Sequence, residues 1–287
     1  SFDKASAAIG EGVINGSGAI VDYLAKQDYS ASVNIKDLKL QDLIAQDKSP
    51  VKAEGIASGK INIKGSGFSP EALKSSLSGN ADLSVSKAKL KDINVLRTVL
   101  DKISVIPGLS QKIEASLPER FKQKLTQKDT VLLDIKLPLV IENGRLIVKD
   151  VSLGADEFLF KGSGEAGLSG VYLLEGIFLI QQELSAAMVS GISELQYLLN
   201  DKKQIYIPLK ISGKAGEMKF KVDAQYIAQK LVANQAKQQL FKALDKALGT
   251  KELNTTEQNT APQQDSNNKS TTEKAIGNIL DNIFKKK

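Results

Sequence analysis

The alternation of apolar and polar residues constrains the fold of this chain more than any other feature. In "VLLDIKLPLVI", residues 131–141, five apolar residues share one face: Leu133, Ile135, Leu137, Leu139 and Ile141. Successive side chains of a strand point to opposite sides of a sheet, so the pattern predicts a single strand with one apolar face. Asn143-Gly144 comes next, and both residues tolerate the positive φ of a two-residue hairpin. We therefore predict an antiparallel hairpin here.

The same alternation recurs along the chain. The further positions are Ile61, Ile63, Leu83, Val85, Ile205, Ile207, Leu209, Ile211, Met218, Phe220 and Val222. These residues predict antiparallel strands with one apolar side, which must be buried against helices, a second sheet or lipid. A core made only of protein remains an alternative for each of these strands.

Helical periodicity interrupts the strands. It predicts amphipathic helices near residues 69–77, 95–103, 109–128, 183–200 and 224–248. Ser69 and Pro70 suit the N-cap and the first helical position, and Gly79 is predicted to stop that helix. The predicted fold class is therefore α+β and mainly β, with accessory amphipathic helices around a long antiparallel sheet.

The C-terminal part of the chain changes in character. Residues 250–270 are polar and of low complexity, which predicts a disordered linker between a domain at 1–249 and a short helix at 271–287. The candidate membrane contacts of that helix are Ile276, Ile279, Leu280, Ile283, Phe284, Lys285, Lys286 and Lys287. It could cap its own domain, or lie on a membrane surface with its lysines at anionic headgroups.

The composition removes several classes of function. The 287 residues contain no Cys, His or Trp, which excludes Cys/His zinc sites, haem held by His or Cys, thiol nucleophiles and Ser-His-Asp triads. The net charge of +6 suits anionic partners, but basic residues alternate with acidic ones and aromatic residues make up only 5%. We therefore expect no nucleic-acid partner and no cofactor.

The Gly-Ser-Gly at residues 65–67 comes between a strand and a helix, as phosphate-binding glycines do. However, Pro70 stands where the dinucleotide-binding pattern needs its third glycine, and the neighbouring strands alternate as antiparallel ones do. Carboxylates such as Asp134 and Asp150 have no convincing basic partner. We therefore read the glycines as turn residues and predict a protein that is not an enzyme.

Two stretches resemble the C-terminal region of AsmA-like envelope proteins, and together they cover roughly residues 29–249. The matching positions are Ser69-Pro70-Glu71-Ala72-Leu73, Leu77, Gly79, Ile93-Asn94, Ile207-Pro208-Leu209, Ile211, Gly213 and 220–223. The chain departs from the family at Glu217-Met218, where a proline is frequent, and at Ser86-Lys87, which replaces an aspartate-glycine.

This resemblance implies a long, curled antiparallel sheet that forms an apolar groove or half-pipe. It implies a protein of the periplasm of a Gram-negative bacterium, anchored to the inner membrane through an N-terminal segment outside this chain. The implied role is to hold or conduct phospholipid acyl chains for lipid transport between the two membranes or for outer-membrane maintenance. The expected partners are phospholipid, a membrane surface and outer-membrane or other envelope proteins.

The sixteen alternating apolar residues named above are then the candidate groove lining. The competing interpretation is a periplasmic scaffold or adhesin-like β-domain that binds other proteins, and its mark would be a closed, filled core. A transmembrane β-barrel fits less well, because such barrels have aromatic girdles and no run of amphipathic helices.

Overall fold

The computed structural model describes residues 1–43, 52–103, 109–214 and 217–231. Within these ranges, twelve strands form one sheet. The strands are β1 (Phe2–Ile9), β2 (Gly12–Val21), β3 (Asp28–Lys39), β4 (Lys52–Ser66), β5 (Ser78–Lys91), β6 (Thr130–Val131), β7 (Ile135–Glu142), β8 (Arg145–Gly154), β9 (Phe158–Gly167), β10 (Tyr172–Ile180), β11 (Tyr206–Gly213) and β12 (Lys219–Val222).

Helices and one 3-10 helix connect some of these strands, and a further helix follows β12. They are α1 (Leu40–Leu43), α2 (Pro70–Ser76), α3 (Val95–Lys102), α4 (Leu109–Ser116), α5 (Glu119–Thr126), α6 (Gln182–Gly191), the 3-10 helix (Ser193–Leu198) and α7 (224–231). The predicted helices are confirmed as far as residue 231. The predicted remainder of α7, the linker at 250–270 and the helix at 271–287 lie outside the described residues. No helix in the described ranges is long and apolar enough to cross a membrane.

The sheet is antiparallel and open, with the strands in the order β1-β2-β3-β4-β5-β7-β8-β9-β10-β11-β12 and β6 paired to β5. This confirms the predicted fold class. The register shifts between Ile35 and Leu38, between Glu54 and Ile56, and between Val148 and Val151. Such bulges bend a strand and increase its local twist.

The hairpin between β7 and β8 forms as its sequence predicts. Asn143 and Gly144 have φ values of 49° and 67°, so both adopt the left-handed conformation that a tight two-residue turn requires. Glu142 then lies opposite Arg145, and Ile141 opposite Leu146. The local chemistry of the turn therefore fixes the register of the two strands.

The prediction of one continuous strand over 131–141 is wrong. The backbone N–H of Leu132 donates to the carbonyl of Ala88, whereas that of Leu133 donates to the carbonyl of Gly154, so the ladder with β5 is interrupted at residues 132–134 before β7 resumes it. Leu133 lies outside both β6 and β7, and 55% of it is exposed. The alternating pattern continues across this break, and β6 and β7 both pair with β5 in the same register, so alternation alone could not reveal the interruption.

The start of α2 is confirmed, but its predicted stop is not. The Ser69 hydroxyl accepts a hydrogen bond from the backbone N–H of Ala72 at 3.1 Å, which is an N-cap. The helix ends when Leu77 adopts an extended conformation, and Gly79 already lies inside β5. The strands on either side of the helix, β4 and β5, are antiparallel neighbours and not the parallel strands of a nucleotide-binding unit.

Candidate functional site: the open apolar face

The register places apolar residues of the long strands from β2 to β11 on one shared side of the sheet, although a few, such as Ile147, Leu159 and Ile177, lie on the other side. In one row, Val33 lies opposite Ile61, which lies opposite Ala81, which lies opposite Leu139. Because directly opposed residues share a side, these rows define one apolar face that crosses the sheet from β2 to β12. The intervening residues, which include Asn34, Lys60 and Asp82, lie on the other side.

Over β8–β12, helices cover this face and form a filled core. The core consists of α3, α4, α5, α6, the 3-10 helix and α7 packed on these strands, with Phe158 and Phe178 stacked at 4.7 Å between ring centroids. The candidate groove residues in this half are buried: Ile205, Ile207, Leu209, Ile211 and Val222. Met218 and Phe220 are partly buried against the same core. In this structure the neighbours of these side chains are therefore other residues of the chain.

Among the described residues, no helical core of this kind covers the remaining part of the face. The core ends at β7: none of its described residues lies on β1–β4, and on β5 only Leu90 packs against it. We call the half-buried residues of this part the open apolar face: Ile14, Val33, Ile35, Ile61, Ile63, Leu83 and Val85. At its two ends α1 packs against β3 and β4, and α2 packs against β4.

The predicted groove residues are thus divided between two environments. Four of them lie on the open apolar face, namely Ile61, Ile63, Leu83 and Val85. On β7, Leu137 and Leu139 are partly buried and pack against the core, while Ile135 and Ile141 are buried. Leu133 is in neither environment. The predicted membrane contacts at 276–287 lie outside the described residues.

Three residues of the open apolar face were not predicted: Ile14, Val33 and Ile35. Their strands are "GVINGSGAIV" and "DYSASVNIK", in which glycine, alanine and serine occupy many positions and weaken the alternation. The signal that identifies them is their register, because Ile14 lies opposite Ile35 and Val33 lies opposite Ile61.

The opposite side of the same strands is polar and forms hydrogen bonds within itself. Ser32 Oγ donates to Asn62 Oδ1 at 2.9 Å, and Asn62 Nδ2 donates to Asn80 Oδ1 at 3.2 Å. A depression of about 600 Å³ is lined by these residues with Ser17, Ser30, Lys64, Ile63 and neighbouring glycine and alanine residues. Because its side chains bond to each other, this surface offers fewer free polar groups to a ligand than its composition suggests.

The structure is thus an open antiparallel sheet with one apolar face, and helices cover about half of that face. A model of the AsmA family matches residues 1–151, more than half of the 287-residue chain. The chain therefore belongs to the AsmA family. This membership associates it with the cell envelope and with lipid or membrane assembly. Searches of curated proteins and of solved structures found no match to the chain.

Asn94, one of the residues behind the resemblance, connects two helices. Its Oδ1 accepts a hydrogen bond from the backbone N–H of Arg97 at 2.8 Å, which caps α3. Its Nδ2 donates to the carbonyls of Lys124 and Gln127, each at 2.8 Å, at the C-terminal end of α5. The role of Asn94 is thus to hold two covering helices at the end of β5.

An acidic residue ties the same region to the sheet. Asp129 Oδ2 lies 2.9 Å from Lys89 Nζ and 2.8 Å from Lys91 Nζ, and Oδ1 accepts from the backbone N–H of Asp92. The hydrogen bond from Lys91, then those from Asp92 and Lys89, hold the pKa of the Asp129 carboxyl well below its usual range. These contacts give Asp129 a structural role, because they tie it to Lys89 and Lys91 of β5.

Among the described residues, no group of three or more acidic, His or Cys side chains is placed to hold a metal ion. The carboxylates named in the sequence analysis, Asp134 and Asp150, are exposed. The open apolar face is therefore the strongest candidate site in the described ranges, and its chemistry is burial of apolar surface.

Proposed function

We propose that this protein holds phospholipid acyl chains on the open apolar face, without catalysis, and so serves lipid transport or membrane maintenance in the envelope. The proposal rests on one observation: helices cover only one half of a continuous apolar face. Helices of the chain bury the half on β8–β12, while the half on β2–β5 keeps isoleucine, valine and leucine side chains partly in contact with solvent.

An acyl chain suits this surface for a simple energetic reason. Burying one CH₂ group contributes about 0.8 kcal/mol, so ten methylenes on the face contribute roughly 8 kcal/mol before the cost of ordering the chain. No directed polar ligand is needed along the hydrocarbon. The lining of branched aliphatic side chains, such as Ile61, Ile63 and Val33, matches that requirement.

We further propose that the open apolar face works in the periplasm, where a lipid must cross water between two membranes. The family assignment supports an envelope location, and the apolar face supplies the shield that hydrocarbon needs in water.

The test is native mass spectrometry of the purified chain, followed by extraction and identification of the lipid that it retains. Leu83→Asp puts a carboxylate on the open apolar face. Ser84→Asp puts a carboxylate on the next residue of β5, which faces the opposite side of the sheet. We expect bound phospholipid in the parent chain and in Ser84→Asp, and loss of the lipid in Leu83→Asp.

Ser84 is a suitable control because it is exposed and lies opposite Lys136, which favours an added negative charge. If Leu83→Asp unfolds, Ala31→Phe replaces it, since a larger apolar side chain narrows the face beside Ile63 without adding a charge. Circular dichroism verifies the folding of each variant. A folded parent chain without lipid, or lipid equally retained by all variants, would contradict the proposal.

A protein-binding scaffold is the second candidate, and one observation favours it. Within the described residues β1 pairs only with β2, so its other edge presents backbone groups to which a strand of a partner could add. A protein co-purifying in place of lipid, and released when β1 is blocked by Ala7→Pro, would support this candidate over the lipid proposal.

A further inference from the structure

Exposed large apolar side chains are concentrated at one end of the sheet. In the described ranges, eight of ten lie at the end where β2 meets β3, β4 meets α2, and β9 meets β10: Ile20, Val21, Tyr23, Leu24, Phe68, Leu168, Val171 and Leu173. The other two, Val131 and Leu133, lie at the opposite end. Scattered apolar residues need no explanation, but a concentration on one edge does.

The β2–β3 tip, residues 20–27, carries the most exposed of them. Leu24 is 96% exposed, Tyr23 66% and Val21 65%. The loop is nevertheless ordered by its own backbone, because the N–H groups of Ala25 and Gln27 both donate to the carbonyl of Asp22 at 3.1 and 2.9 Å. A loop whose backbone groups bond internally can enter an apolar medium at lower cost than one that needs water.

The tip is continuous with the open apolar face. Ile20 lies opposite Tyr29, and in the next row on that side Gly18 lies opposite Ala31, which lies opposite Ile63. Phe68, 48% exposed, stacks on Tyr29 with 5.2 Å between the ring centroids. An apolar path therefore leads from the tip onto β3 and β4.

Apolar residues lie on both sides of the tip. Ile20 lies on the apolar side of the sheet and Val21 on the polar side, opposite Asp28, while Tyr23 and Leu24 occupy the loop. A protein surface would cover one side of such a projection, whereas a lipid bilayer would cover both. Tyr23 precedes Leu24 in the loop and is 66% exposed, and tyrosine is enriched at the boundary between lipid headgroups and hydrocarbon.

We infer that the β2–β3 tip inserts into the interfacial region of a phospholipid bilayer and that lipid passes there between the bilayer and the open apolar face. This inference rests on the proposed function, because the path is useful only if the face holds lipid. The contact of the tip with a bilayer can nevertheless be measured separately.

The absence of tryptophan from the chain makes a direct test available. Leu24→Trp places a single fluorescent reporter at the tip, and Val131→Trp places one at the opposite end of the sheet, at a valine that is 66% exposed. With vesicles of phosphatidylethanolamine and phosphatidylglycerol, we expect a blue shift and quenching by brominated lipid for Leu24→Trp only. No change at Leu24, or equal changes at both positions, would overturn the inference.

Lipid loading tests the second half of the inference. Tyr23→Ser/Leu24→Ser should slow transfer of a fluorescent phospholipid from vesicles roughly tenfold or more, because the two side chains no longer enter the bilayer. The variant should still hold the parent amount of lipid when the lipid is supplied in detergent. Val21→Ser and Val131→Ser form a matched pair at 65% and 66% exposure, and only Val21→Ser should slow transfer.

The two proposals fail in different ways. If the parent chain retains no lipid from vesicles or detergent, the proposed function fails, whatever the Leu24→Trp spectrum shows. If lipid is retained and transferred but the tip variants transfer it at the parent rate, the inference about the tip fails alone. Transfer that also falls in Val131→Ser would mean that general surface hydrophobicity, and not the tip, determines loading.

Discussion

Leu83 of β5 lies directly opposite Leu137 of β7, and both face the same side of the sheet, yet only Leu137 packs against the helical core. The boundary between the two halves of the apolar face therefore runs between these strands. On one side of it, the apolar residues stabilise the fold. On the other side, they are partly exposed and available to a ligand.

The first prediction compares the two halves by stability. Leu209→Ala removes a 2% exposed side chain from the core and should lower the free energy of unfolding by about 2–5 kcal/mol. Ile61→Ala removes a half-buried side chain from the open apolar face and should cost about 1 kcal/mol. Urea unfolding of the lipid-free chain measures both. Equal losses would mean that the open apolar face is as much a part of the core as Leu209.

The second prediction concerns the position at which the chain departs from the family pattern. Lys87 has a φ of 52°, a left-handed conformation that glycine adopts without steric cost. Lys87→Gly should therefore stabilise the protein by about 1 kcal/mol.

Lys136→Gly is the matched control, since Lys136 is an exposed strand residue outside the positive-φ positions. It should destabilise the protein by about 0.5–1 kcal/mol. Thermal unfolding of the two variants should shift the midpoint in opposite directions. A shift of the same sign in both would contradict the role assigned to the Lys87 backbone.

The third prediction separates the two roles of Asn94. Asn94→Asp keeps an oxygen that can cap α3 but removes the donor to the carbonyls of Lys124 and Gln127. Both Asn94→Asp and Asn94→Ala should therefore cost about 1–3 kcal/mol of stability. Chemical denaturation measures this, and a fully stable Asn94→Asp would show that only the cap matters.

The fourth prediction is a dependence on pH. Because the folded pKa of Asp129 lies below its usual value of 3.8, the carboxylate contributes stability above pH 3.8. That contribution should decline as the pH falls below 3.8 and be lost once the pH passes the lowered folded pKa. Urea midpoints measured against pH should show Asp129→Asn less stable than the parent at neutral pH, with the difference shrinking in acid. A difference independent of pH would contradict this account.

The sequence was sufficient for the parts of the fold that local chemistry determines. Period-two alternation identified β4, β5, β7, β11 and β12 and their apolar side, but not β1, β2, β3, β9 or β10. Asn143-Gly144 identified the hairpin between β7 and β8, and Ser69-Pro70 identified the start of a helix. Each of these signals lies within a few residues and depends on backbone preferences or on the pleat of a strand.

The cover of the apolar face could not be predicted, because it depends on contacts between distant segments. Ile207 and Ile61 show the same alternation, yet helices from elsewhere in the chain bury the first and leave the second partly exposed. Alternation states that one side of a strand is apolar and does not state what lies against it. Leu133 also continues the alternation of β7 but lies outside the strand, because alternation does not show where the hydrogen bonds to a neighbouring strand are interrupted.

The most direct test of the central claim is photo-crosslinking at two neighbouring residues. Benzoylphenylalanine is placed either at Val33, on the open apolar face, or at Asn34, on the opposite side of β3, and the chain is loaded from phospholipid vesicles before irradiation. We predict a phospholipid adduct by mass spectrometry at position 33 and none at position 34. Adducts of equal yield at both positions, or an adduct at position 34 alone, would contradict the account.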